Sequence, residues 1–389
     1  MLEVTDLLLK GGFTVGRHSK KLIVVDAVKD WVMDGRVKPG ERFYSEYELA
    51  KLFDVSRHTV RLAMRELVHE GWLYREQGVG TFCGEPFASK KGDSKTNGKN
   101  IGVMMTYLSD YIFPSIIRGM ETYLTDRGYS LTLVCTENDH AKERLCLRNL
   151  LDLNMDGFIL EPTKSSQFNP NMDCYLELEE RNIPYLMINQ FYSQLSPFHL
   201  KIDDVKGGYM ATDHLIQLGH EQILGIFKSD DLQGVHRMQG FLQAMRNGKR
   251  PISPEHVVTF TTEQLNDDFT EKLLNTLTNK NTMPTAIVCY NDFIAMSVHK
   301  VLEKLQLSVP EDVSLIGFDD VKPAGSTKIP LTTIAHPKSR MGVDAAKWII
   351  AAVEGKELNL SNEPPIIYEP ELVIRSSTDV VKKNRSAVS

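Results

Sequence analysis

The sequence predicts an α/β protein in two parts, a small domain of three helices and a hairpin followed by a larger doubly wound body. Three observations predict it. Residues 20–83 run through three amphipathic patterns and then two short strand-like runs around a glycine turn. From residue 101 onward, apolar runs alternate with amphipathic helical stretches. Between them lies GEPFASKKGDSKTNGK, Gly84 to Lys99, where only Phe87 is large and apolar, the composition of a flexible linker. A chain of 389 residues is long enough for two or three domains with cores of their own. The expected boundaries are 20–84 for the head, 85–99 for the linker and 100–378 for the body, with no function assigned to residues 1–19.

Charge divides along the same line. The chain carries −6 overall, but residues 1–99 hold 17 Lys+Arg against 14 Asp+Glu, leaving 28 basic and 37 acidic residues for the remainder. A basic head on an acidic body fits a protein of which only the head faces phosphate. The five cysteines, Cys83, Cys135, Cys146, Cys174 and Cys289, are scattered without a C-x-x-C pair, as expected of a reducing cytoplasm. No apolar run approaches the ~18 residues of a membrane span, so no membrane role is expected. His214 and His220 lack neighbours that complete a metal site, and neither metal nor cofactor is expected.

In the head, Val24, Val28, Trp31 and Val32 share one face of a helix over Lys21 to Asp34. Ser45 with Glu48 forms a capping box for a second helix that buries Leu49, Ala50 and Phe53. Ser56 caps a third, with Val60, Ala63, Met64 and Leu67 inward and Arg57, Arg61 and Arg65 outward at four-residue spacing. An arginine face alone reads as solvated surface. The short helix and tight turn before it, and the hairpin WLYREQGVGTF after it, make it the reading element of a winged helix-turn-helix. Arginine can grip guanine bidentately or clamp phosphate, which points to Arg57, His58 and Arg61 as base readers; Gln77 at the glycine-rich tip can bond in the minor groove. The stretch Pro39 to Phe82, PGERFYSEYELAKLFDVSRHTVRLAMRELVHEGWLYREQGVGTF, resembles the GntR family of bacterial regulators. The resemblance assigns Arg57, His58, Thr59 and Arg61 to the major groove and Gln77, Gly78 and Gly80 to the minor groove, with Glu46 and Lys20 near the DNA backbone. Phe43-Tyr44 departs from the Leu-Pro usual in that family.

In the body, Ile101 to Met105, Leu131 to Cys135, Phe158 to Leu160, Tyr185 to Ile188, Ile223 to Phe227, Ala286 to Cys289 and Val313 to Phe318 read as buried strands. Ligands of such sheets sit beyond the carboxyl ends of the strands. That rule selects Tyr107, residues 110–113 with Tyr111 and Phe113, Glu161, Asn189, Asp203, Asp230, Asn291, Asp292, Asp319 and Asp320. Carboxylates, amides and aromatic rings together suit a neutral sugar, although a lone Asp or Asn is more often a helix cap, the reading given to Asp292.

IDDVKGGYMATDHLIQLGHEQI, RMQGF, CYNDFIAM, VPEDVSLIGFDDV and IPLTTI are similar to segments of the LacI/GalR repressors and their periplasmic sugar-binding relatives. The resemblance implies a two-lobed, periplasmic-binding-protein-like body, with Arg237, Asn291 and Asp319 as sugar-hydroxyl partners and Phe113 and its neighbours stacking from the first lobe. It also implies chain crossings between lobes near residues 204, 325 and 360, and the polar linker replaces the hinge helix of that family. Head and body together, with TYLSDYIFPSIIRGME, ILEPTKSS, DDLQGVHRMQGF and AHPKS, resemble the arabinose-responsive repressors. This third resemblance implies a homodimer on near-palindromic operator DNA with L-arabinose as effector. The alternatives are the same architecture responding to another pentose, a hexose or a small metabolite, and, more distantly, a sugar receptor without a DNA role. An enzyme would need a nucleophile with a base, a metal or a cofactor fingerprint, and the sequence offers none.

Overall fold

The computed structural model describes residues 20–33, 36–38, 40–69, 72–76, 80–83, 99–108, 111–265, 267–278, 283–321, 329–355 and 364–382, and the chain divides into units Met1–Thr96 and Asn97–Ser389. In the first unit, α1 (Lys20–Met33), α2 (Glu46–Leu52) and α3 (Arg57–His69) precede an antiparallel pair, β1 (Leu73–Glu76) and β2 (Gly80–Cys83). Both expected caps form: Ser45 Oγ accepts from Glu48 N at 3.3 Å while Ser45 N donates to Glu48 Oε2 at 2.8 Å, and Ser56 Oγ accepts from Thr59 N at 3.1 Å. Val24, Val28, Leu49, Val60, Met64 and Leu67 meet in the head core. Phe43 joins them: its N–H donates to Thr81 O at 2.8 Å, and Arg42 pairs with Phe82 in an isolated antiparallel bridge that ties this segment to the two-stranded hairpin. The departure from Leu-Pro thus supplies core volume, while Tyr44 stays exposed against Trp31.

The second unit holds two six-stranded sheets. After β3 (Lys99–Met105) come α4 (Phe113–Thr125), β4 (Tyr129–Cys135), α5 (His140–Asp152), β5 (Gly157–Leu160), α6 (Met172–Glu180), β6 (Tyr185–Ile188) and β7 (His199–Ile202). There follow α7 (Asp204–Gln217), β8 (Ile223–Lys228), α8 (Leu232–Asn247), β9 (Val257–Phe260), α9 (Asp267–Thr278), β10 (Ala286–Cys289), α10 (Asp292–Lys304), β11 (Ser314–Asp319) and β12 (Thr332–Ala335). The chain closes with α11 (Lys338–Val353), β13 (Ile366–Tyr368) and β14 (Glu371–Val373). The first lobe has the order β13-β7-β6-β5-β3-β4, all parallel; the second has β14-β12-β11-β10-β8-β9, parallel except for β14. Each sheet is covered on both faces: α4 and α11 pack over one side of the first and α5 and α6 over the other, with α7 and α8 opposite α9 and α10 in the second.

Two crossings differ from the resemblance-based expectation. The first falls near residue 204, as expected. The second lies between β12 and α11, residues 335–338, because β12 still pairs with β11 of the second lobe. The third lies between β13 and β14, residues 368–371, because β13 belongs to the first sheet. Backbone pairing also continues past the expected end at residue 378, with Val381 N donating to Leu218 O at 3.0 Å. Helices α7 and α8 touch backbone to backbone: a Cβ at Gly240 would fall 2.0 Å from Val205 O. Only glycine permits that approach, which sets Arg237 of α8 against Asp204 at the start of α7.

Candidate functional site

On the head, Arg57, His58, Arg61 and Arg65 are exposed along α3. Arg57 lies over the Tyr47 ring, 5.0 Å from its centroid. Arg61 pairs with Glu46 at 3.1 Å and Arg75 reaches the same carboxylate at 3.4 Å, so Glu46, expected near the DNA backbone, orders two arginines. Thr59 is half-buried, its hydroxyl bonded to Ser56 Oγ at 2.8 Å. Gly80, with φ 151°, begins β2 beside the Arg42 guanidinium. Lys20 opens α1, although its side chain lies outside what is described; Gln77, Gly78 and the linker residues 85–98 also lie outside the described residues.

In the body, the carboxyl ends of both sheets face a cleft of about 660 Å³. Its wall includes Tyr107, Tyr111, Phe113 and Glu161 from the first lobe and Asn291 and Asp319 from the second. Glu161 is buried at the end of β5, accepting from Thr106 N at 2.8 Å and from Asn189 Nδ2 at 2.6 Å. Burial raises its pKa, and those hydrogen bonds oppose the rise. Asn291 caps α10, its Oδ1 accepting from Ile294 N at 2.9 Å, and still lines the cleft. Asp292, expected as that cap, is instead buried in the first turn, accepting from Thr333 Oγ1 at 2.7 Å and Val321 N at 2.8 Å.

Two expected partners do not line the cleft. Asp203 caps α7, accepting from Lys206 N at 2.9 Å. Arg237 lies behind the wall, 2% exposed, donating to Asp204 Oδ1 at 2.9 Å, Tyr290 O at 2.8 Å and Asp319 Oδ1 at 3.4 Å, with the Phe318 ring 3.6 Å away. The resemblance implied Arg237 as a sugar-hydroxyl partner; the close α7–α8 packing sets it against Asp204 instead. The lobes also bond to each other directly. Tyr111 OH donates to Phe318 O at 2.9 Å and to the Asp319 carboxylate, Asn138 Nδ2 donates to Thr262 Oγ1 at 2.6 Å, and Ser166 Oγ donates to Ser229 O at 2.7 Å.

Comparison with known proteins agrees with this two-part construction. Residues 20–83 match the model of bacterial regulatory proteins of the gntR family, and residues 212–378 that of a periplasmic binding protein-like domain. A protein of Halalkalibacterium halodurans named arabinose metabolism transcriptional repressor is 47% identical over 370 residues, 95% of this chain and 99% of its own. One of the same name from Geobacillus stearothermophilus is 44% identical over 92% of this chain and 97% of its own. The chain belongs to the arabinose metabolism transcriptional repressor family. As a member of this repressor family it is a sugar-responsive regulator with a DNA-binding domain and a sugar-binding domain, and not an enzyme. A LacI family transcriptional regulator from Enterococcus faecium, solved with bound ribose, is similar with TM-score 0.61 and 25% identity, over 73% of this chain and 100% of that one. The regulator CcpA of Lactococcus lactis shares the fold at TM-score 0.63 and 20% identity, over 72% of this chain and 100% of that one. Among the described residues of this repressor, no helix is long and apolar enough to cross a membrane.

Lys228, Asn138 and Gln190 are among the cleft residues of the repressor that the sequence did not single out. Lys228, the last residue of β8, lines the cleft with its ammonium 3.1 Å from Asp231 and 3.3 Å from Asp230. Burial alone would lower its pKa; the two carboxylates more than reverse that. Asn138 reaches across from the turn before α5. Gln190 donates from Nε2 to Asp204 Oδ2 at 2.8 Å, while its buried Oε1 meets no donor among the described residues. The signal for Lys228 and Gln190 was their place at strand ends: Lys228 directly follows the Ile223 to Phe227 run, and Gln190 trails the asparagine after Ile188.

Proposed function

We propose that the head of this repressor binds near-palindromic operator DNA as part of a cytoplasmic homodimer, and that L-arabinose bound between the lobes releases it. The observation that carries this reading is the cleft. Its volume of about 660 Å³ suits a small molecule, and carboxylates, amides and aromatic rings converge on it from both lobes, as a neutral polyol requires. Glu161, Asn291 and Asp319 would hold hydroxyls, with Tyr107, Tyr111 and Phe113 against the C–H faces and Arg237 bracing Asp319 from behind. The names of the two close relatives favour arabinose among sugars. Effector that binds the released geometry more tightly than the DNA-bound one lowers operator affinity, and DNA lowers sugar affinity by the same factor.

The test uses duplexes selected by the full-length protein from a randomised pool, with binding followed by fluorescence anisotropy. Saturating L-arabinose should lower affinity by about 5–150-fold, the usual span of such coupling. Release by D-ribose, D-xylose or D-galactose instead reassigns the effector; no release by any sugar sinks induction by sugar. On the same duplexes, Arg57→Ala should cost about 1–3 kcal/mol and relax preference at one base pair if Arg57 reads guanine. A uniform loss across sequences would make Arg57 a phosphate clamp.

A further inference from the structure

We infer that Lys338 is a positioning residue for the cleft carboxylate of Asp319, holding from the first lobe the backbone turn that aims it. This rests on the effector reading above. Asp319, the last residue of β11, and Asp320 after it have φ of 96° and 49°, left-handed conformations that cost free energy in residues bearing a Cβ and persist only when their surroundings hold them. The Lys338 ammonium donates to Asp319 O and, at 3.0 Å, to Asp320 O. The turn is gripped from other sides as well: Arg375 Nη2 donates to Asp320 Oδ1 at 2.6 Å, and Asp320 N donates to Thr333 Oγ1 at 3.3 Å. With both carbonyls turned to the lysine, the Asp319 side chain lines the cleft, bonded to the Tyr111 hydroxyl and backed by Arg237 behind the wall.

The position of Lys338 argues against a merely decorative role. It is the first residue of α11, where a cation opposes the helix dipole and Pro337 supplies no side-chain cap. Its ammonium is largely withdrawn from water, which lowers its pKa, while Asp319, Asp320 and Asp292 favour the charge. The helix it begins belongs to the first lobe, contributing Met341, Ala345 and Ile349 to the core shared with α4. A lobe-one cation therefore fixes a lobe-two ligand group at the crossing between them.

Lys338→Met and Lys338→Arg, in the full-length protein, separate this role from bulk and fold. Titration calorimetry with L-arabinose should show Lys338→Met binding about tenfold more weakly, and Lys338→Arg, which keeps donors and charge, recovering most of that loss. Operator affinity without sugar should stay within about twofold. In an Asp319→Asn background the methionine substitution should add little, since both changes act on one group. Wild-type affinity in Lys338→Met, or a loss that multiplies fully with Asp319→Asn, would overturn the inference. Hydrogen exchange reads the turn without any sugar: the Asp320 and Val321 amides should exchange about tenfold faster in Lys338→Met, and unchanged exchange overturns it independently. A wild type that binds no sugar but whose turn loosens in Lys338→Met sinks the effector reading alone.

Discussion

Arg237→Ala should destabilise the body by about 3–5 kcal/mol, the cost of removing one partner from a buried ion pair. Its guanidinium is the shared counter-ion of Asp204 and Asp319, both buried, and its flat faces pack against Phe318 and Tyr290. Alanine leaves two carboxylates in a low-dielectric floor and a void between rings. Sugar binding should fall as well, because Asp319 loses its brace. Urea unfolding of the full-length protein is the deciding measurement. A lost sugar response with an unchanged unfolding midpoint would place Arg237 on the cleft surface, as the sequence alone suggested. Replacing Asp204 by asparagine in the alanine variant should recover part of the loss, since one stranded charge is then removed.

Asp292 should contribute a loss of about 2–4 kcal/mol of stability as pH rises from 4 to 8, opposed by the buried His336, whose pKa burial lowers to about 4. Burial raises the Asp292 pKa to about 7 against the hydrogen bonds from Thr333 and Val321 that would lower it. The unfolded carboxyl titrates near 3.9. Between those values the folded chain binds the proton and the unfolded chain does not, so the stabilisation is complete below about pH 4 and gone above about pH 7. Asp204 moves in the same direction, to about 7, again through burial and against the pull of Arg237. Asp292→Asn mimics the protonated form, with Oδ1 free to accept from Val321 N and the amide able to donate to Thr333 Oγ1. In unfolding curves, its stability relative to wild type should grow steadily from pH 4 to 8, and it should be the more stable protein at pH 8. Parallel curves for the two proteins would show that Asp292 stays ionised in the fold.

The head was legible because its signals are local. Ser45 with Glu48 and Ser56 with Thr59 are complete within one helical turn, and the inward Val60, Met64 and Leu67 repeat at the helical period. The seven apolar runs of the body likewise announced β3, β4, β5, β6, β8, β10 and β11, of which β4 alone lies at a sheet edge. β9, β13 and β14 are short edge strands half open to solvent, while the threonines of β12 resemble a loop until Thr333 is seen holding Asp292. In the cleft, the carboxyl-end rule located Glu161, Asn291 and Asp319, whose positions depend on the strands alone. Asp203 is engaged as the cap of α7, and Arg237 depended on how α7 meets α8, a contact set by Gly208 and Gly240 that no periodicity expresses.

The three crossings also govern the order in which the molecule can be made. The first sheet takes its edge strand from residues 366–368 and a covering helix from residues 338–353, both translated after the whole of the second lobe's first five strands. As the chain leaves the ribosome, neither lobe can close over its core while the other is absent: the first waits for α11 and β13, and the second ends on β14. The lobes are therefore not modules that can be cloned apart. A truncation at residue 330 leaves an early half with its helical cover missing and its apolar sheet face open, a nascent species exposed to aggregation until the last strands arrive.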